Sequence, residues 1–140
     1  MSMIEVKTAE LIGPALDWAV AKANGFAVQV RPYAEFCNAS TGHKVKARYH
    51  RVWYEFDGDL EEYSPSADWS QGGPLIDKHN VEILRAGDYV MAKLYGLTNA
   101  AGDGKTPLIA ACHAIVAAKL GDAVSVPEEL VQQQGEGGCP

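Results

Sequence analysis

The chain has 140 residues, 47% hydrophobic and 21% charged, which suits one ordinary domain with its own core. A net charge of −6 argues against general affinity for nucleic acid and leaves room only for a local basic site. No apolar run reaches membrane-spanning length, the start carries no signal-peptide pattern, and Cys37, Cys112 and Cys139 show no metal or redox spacing. The expected setting is therefore a reducing cytoplasm with free thiols, and no membrane partner.

Met3 to Val6 predicts a short strand. Thr8 can cap a helix, and Leu11, Ala15, Leu16, Ala19 and Ala23 recur at helical spacing until Asn24-Gly25. Pro14 fits that pattern only if the regular helix begins at Gly13 or Pro14. Trp18, at the edge of the stripe, reads as packing. Phe26 to Arg31 predicts a strand, and Pro32 to Gly42 is irregular.

From His43 to Phe56 the residues alternate. Val45, Ala47 and Tyr49 face one way, and Lys44, Lys46, Arg48 and His50 the other. Asp57-Gly58-Asp59 is a turn signal, so Trp53 to Phe56 and Leu60 to Tyr63 form a predicted hairpin.

Tyr63-Ser-Pro-Ser-Ala-Asp68-Trp69-Ser-Gln71-Gly72-Gly73-Pro74-Leu-Ile76 is the most distinctive stretch. Its prolines and adjacent glycines predict an ordered loop rather than a regular element. Two readings of Trp69 compete there. As a plug it fills the core, which composition favours; as a platform it serves a ligand beside Asp68 and Gln71. Gly72 and Gly73 permit close backbone approach to a ligand or a strand.

Beyond that loop, Asn80 to Leu84 and Tyr89 to Tyr95 predict strands joined at Ala86-Gly87-Asp88. Asn99-Ala-Ala-Gly102-Asp-Gly104-Lys105-Thr106 is a near miss for a phosphate-binding P-loop. Asn99 stands where the first glycine belongs, and Pro107 lacks the N–H needed inside the helix. A flexible loop before a capped helix is the better account, with Lys105 available to an anion. Thr106-Pro107 starts that helix, Leu108, Ala111, Cys112, Ile115 and Ala118 form its stripe, and Gly121 ends it. Ser125 to Leu130 predicts the start of a short terminal helix. Residues 132–140 have almost no apolar content and predict a disordered tail after a single domain over 1–131. The order of elements predicts an α+β fold, a mainly antiparallel sheet carrying two main helices.

Three blocks resemble the NinX-like family of small phage proteins. They are Val6 to Gly13 with Ala15 to Ala23, the Tyr63 to Ile76 stretch, and Thr106 to Leu130. Together they span about half of the chain in the family's order, while Arg31 to Glu55 departs from it. The resemblance implies a phage or prophage accessory protein and carries no catalytic residues with it.

Catalytic arrangements are poor. Cys112 and His113 are adjacent on a helix, so their side chains diverge by roughly 100°. His43, His50 and His79 show no metal-ligand spacing, and no pattern calls for a cofactor. Asp68 in a loop more often caps its own turn than holds a ligand. The basic row Lys44, Lys46, Arg48 is the best binding feature, near Tyr49, Trp53, Tyr54, Tyr63 and Trp69. Guanidinium and ammonium groups neutralise phosphates while aromatic rings stack on bases. The plainer reading is a solvated strand face that blocks edge pairing.

The expectation is a non-enzymatic anti-defence protein that sequesters a small nucleotide-like ligand and self-associates as a homo-oligomer. The expected ligand set is Trp69, Asp68, Gln71, Gly72, Gly73, Tyr63, Lys46, Arg48, Trp53 and Lys105. The alternatives are an inhibitor that binds a host protein, with Trp53 and Trp69 as anchors, and a small nucleotide-acting enzyme.

Overall fold

The computed structural model describes residues 2–32, 36–38, 43–44, 50–96 and 101–132. The elements run β1 (Met3–Lys7), α1 (Gly13–Ala23), β2 (Gln29–Pro32), β3 (Phe36–Asn38), β4 (His43–Lys44), β5 (His50–Phe56), β6 (Asp59–Glu62), α2 (Trp69–Lys78), β7 (Val81–Ala86), β8 (Tyr89–Leu94), β9 (Ala101–Gly104), α3 (Pro107–Leu120), β10 (Ala123–Pro127) and α4 (Glu128–Gln132). Every strand pair among them is antiparallel: β1 with β10, β2–β5–β6, β3 with β4, and β7–β8–β9. The fold is α+β, as the order of elements predicts.

Helix α3 organises the two halves. It is apolar on all sides, so it must be covered on all sides. Cys112 and Val116 face a core made with Leu16, Ala19 and Val20 of α1, Val52 of β5 and Val124 and Val126 of β10. Ala110, Ala114 and Ile115 face a second core made with Val90, Ala92 and Leu94 of β8. Its ends follow the sequence signals. The Thr106 hydroxyl oxygen accepts the Ile109 N–H at 3.2 Å, and Gly121 leaves the helix at φ +91°. Helix α1 likewise begins at Gly13-Pro14, and Trp18 packs against the first core.

Four expectations are corrected. Tyr63 to Ile76 is not an irregular loop: α2 occupies its second half, with Pro74 inside it. The cause is tertiary. Asp68 caps the helix by accepting the Ser70 N–H at 2.9 Å, and Gly72 lets it press onto Pro65 and Leu108. Gly102 and Gly104 belong to a strand, β9, rather than a flexible loop. Ser125 to Pro127 completes β10, whose Val124 and Val126 turn inward, and the helix starts only at Glu128. Thr8 caps no long helix. It opens a single 3-10 turn, and its hydroxyl donates to the Gly121 carbonyl at 2.6 Å.

The hairpin expected around Asp57-Gly58 forms, with Trp53 opposite Glu62 and Phe56 opposite Asp59. Residues 133–140, expected to form a tail, lie outside the described residues, and Gln132 ends α4.

Candidate functional site

The start of α2 gathers several of the expected residues. Trp69 is 57% exposed, so it does not plug the core. Its ring lies along its own helix, where a methyl group on Gly73 would meet it at 3.7 Å. A methyl on Gly72 would run into the Pro65 carbonyl and the Leu108 side chain, so this glycine serves helix packing. Tyr63 is buried and stacks at 5.1 Å on Phe26, which also meets Tyr54 at 5.4 Å. Gln71 reaches back from the helix. Its amide donates to the Glu62 carbonyl at 2.9 Å and its oxygen accepts the Ser64 N–H at 2.6 Å.

Glu62 connects this region to the outer face of the β2–β5–β6 sheet. Its carboxylate holds Arg51 at 2.7 Å. Arg51 in turn stands directly opposite Arg31, and Trp53 stands opposite both Gln29 and Glu62. Residues directly opposite in an antiparallel pair share a face, with Cβ atoms about 5 Å apart. Val52 between them is buried, so Arg31, Arg51 and Trp53 occupy the opposite face. The Arg31 guanidinium is exposed and its Nε donates to Gln29 at 2.9 Å. Two guanidinium groups and an indole thus share one sheet face.

The other expected residues fall elsewhere. Lys105 is exposed where β9 passes into α3. The neighbouring glycines do not cradle an anion. A methyl on Gly102 would strike the Ala114 amide and the Ala110 carbonyl, and one on Gly104 would strike Ile109, so both serve close packing of β9 on α3. Lys46 and Arg48 lie outside the described residues. So does most of the basic row, although the backbone of Lys44 pairs in β4.

Cys112 and His113 diverge as their adjacency predicts. Cys112 is buried, and burial pushes its thiol far up, which leaves a poor nucleophile. His113 is held between two carbonyls, Leu11 at 2.7 Å and Asp103 at 2.8 Å. Among the described residues no three His, Cys, Asp or Glu side chains gather as a metal site.

A family model described as Bacteriophage P22, NinX matches residues 7–119. The chain belongs to this family. No curated protein matches it.

In this NinX-family chain the matched span includes both three-stranded sheets, α1, α2 and nearly all of α3, while β10 lies beyond it. On the β2–β5–β6 face two guanidinium groups stand beside an indole, groups chemically able to hold an anion next to a flat ring. The Arg31–Arg51 pair was not among the sequence expectations. The alternation of Gln29 and Arg31, and of Arg51 and Trp53, was visible. The pairing of those two strands, with residues 33–49 between them, was not.

Proposed function

We propose that this phage accessory protein binds a small phosphorylated, nucleotide-like ligand without turnover and acts by sequestering it. The observation that carries the reading is the cross-strand pair of Arg31 and Arg51 beside Trp53. Like charges directly opposite in a sheet repel, and the Glu62 carboxylate holds Arg51 in place on this face. A phosphate between them removes the repulsion and accepts charge-assisted hydrogen bonds from both forks. The indole offers a stacking surface one position away. A ligand of this class fits a nucleotide-derived immune signal, and a sink for it would oppose host defence from the host cytoplasm.

A second reading rests on Trp69. An indole 57% exposed at a helix start is suited to anchor a partner protein, which would make the chain an inhibitor of a host protein.

The deciding experiment is a thermal-shift screen of nucleotides and cyclic nucleotides, with chromatography of anything released on denaturing the purified protein. A true ligand at a hundred times its Kd adds about 2.7 kcal/mol of stability. No shift with any phosphorylated compound, and no released ligand, would leave Trp69 and the inhibitor reading.

A further inference from the structure

We infer that His113 is a proton-operated latch. With both ring nitrogens protonated it ties Leu11 and β9 together across α3, and on losing one proton it releases β9. This goes beyond the ligand reading above and does not depend on it.

A neutral imidazole has one N–H donor and one bare nitrogen that only accepts. A carbonyl oxygen accepts and never donates. Yet both ring nitrogens of His113 face carbonyls, Nε2 that of Leu11 at 2.7 Å and Nδ1 that of Asp103 at 2.8 Å. Both distances are those of N–H···O bonds and too short for a ring C–H in their place. Two acceptors need two donors, so this geometry belongs to the charged ring, in which both nitrogens donate. The neutral ring holds one carbonyl and sets its lone pair against the other. At 5% exposure the ring sits where a lost hydrogen bond is felt.

The two arms of the latch differ. The bond to Leu11 is buried, and the bond to Asp103 is only partly so. A cleft of about 270 Å³ is lined by Lys7, Thr8, Gly102, Asp103, His113 and Asp122, and Leu11 is not part of its wall. Water in that cleft can take over the Asp103 carbonyl, while nothing replaces the ring at Leu11. The last proton therefore stays on Nε2, and the β9 arm opens. Strand β9 is also the lighter element. It has four residues, two of them glycine, and it ends its sheet beyond β8.

The charged groups around the ring come from three elements. Lys7 of β1, Asp103 of β9 and Asp122 before β10 share the cleft. Two carboxylates and one ammonium do not repel a positive ring. Asp17 of α1 acts on Cys112, the neighbour of His113 along α3.

The test is nitrogen NMR of the histidine rings in the isotope-labelled full chain, from about pH 5 to 8, the range in which histidine changes charge. At the acid end both His113 nitrogens should carry a hydrogen. At the alkaline end Nε2 alone should carry one. Over the same range, protection of the β9 amides from exchange should fall about fivefold, the worth of one net hydrogen bond. His113→Gln keeps one donor and cannot titrate, so its β9 protection should not follow pH. If that variant does not fold, the wild-type ring and its β9 amides decide alone. Asp17→Asn should keep the response, because the proton concerned sits on His113. A ring that holds one charge state throughout overturns the proposal, as does a neutral ring with its hydrogen on Nδ1. So does β9 protection that ignores the ring's charge, or a response that survives in His113→Gln or vanishes in Asp17→Asn.

Discussion

Asp17 of α1 accepts the backbone N–H of Ser66 at 2.9 Å, a bond between residues 49 apart that holds the segment before α2 against the core. The carboxyl is 4% exposed. Burial raises its pKa from 3.8 to about 7, against the hydrogen bonds from Ser66, which lower it. The folded protein therefore binds a proton here that the unfolded chain releases between about pH 4 and 7. For this group, stability is greatest below pH 4, falls as pH rises through 7, and is flat above. Asp17→Asn keeps an acceptor for Ser66 without the buried charge. It should be more stable than wild type at pH 8, by about 4 kcal/mol at most, and the difference should shrink toward pH 5. Urea unfolding at both pH values measures this. Equal pH slopes in the two proteins would refute it.

Gly102 marks where β9 touches the α3 backbone. An alanine there meets the Ala114 amide and the Ala110 carbonyl, neither of which can move without bending the helix. Gly102→Ala should lose about 1–3 kcal/mol by overpacking. Gly87 offers the contrast: its φ is +65° and open space surrounds it, so alanine there suffers backbone strain alone, about 1 kcal/mol. Thermal melts of the two variants should separate these causes, and a harmless Gly102→Ala would show that β9 does not pack so closely.

What the sequence reveals depends on how local the cause is. Helix α3 was legible because Thr106, Pro107 and Gly121 act within one turn of their own positions. The β5–β6 hairpin was legible because Asp57 and Gly58, both at positive φ, form the turn themselves. Helix α2 was not. Gly72, Gly73 and Pro74 argue locally against a helix, and only the contact with Pro65 and Leu108 explains why glycine is needed. The same limit hid the candidate site. Arg31 and Arg51 become neighbours through strand pairing across an intervening segment, and no spacing rule announces that.

Trp69 was expected in the core or at a site, and its exposure separates those readings energetically. A buried tryptophan cut to alanine costs about 3–5 kcal/mol. An exposed one on a helix should cost under about 1 kcal/mol, since alanine favours helix and little burial is lost. Trp69→Ala should therefore melt near wild type. Retained affinity for any ligand from the screen would exclude the indole from that site, while a large loss of stability would mean that it packs more than its exposure indicates.

Arg31 gives the sharpest test of the anion reading. It is exposed, and the polar contact it makes among the described residues, with Gln29, is weak support for a residue opposed by Arg51. Arg31→Ala should leave the unliganded protein as stable as wild type or slightly more so, because a like-charge pair is removed. Affinity for a phosphorylated ligand should fall roughly 10- to 100-fold, the loss of one charge-assisted contact of about 1.5–3 kcal/mol. Arg31→Lys should recover only part of that, since an ammonium keeps the charge but not the planar fork. Wild-type binding should weaken as salt rises, and Arg31→Ala should flatten that dependence. Arg51→Ala should lose affinity as well, together with its ion pair to Glu62, which at partial exposure is worth no more than about 1 kcal/mol. Calorimetric titration of the three variants at two salt concentrations reads all of this. Wild-type affinity and salt dependence in Arg31→Ala would reduce the pair to an ordinary surface feature and remove the main support for a phosphate ligand.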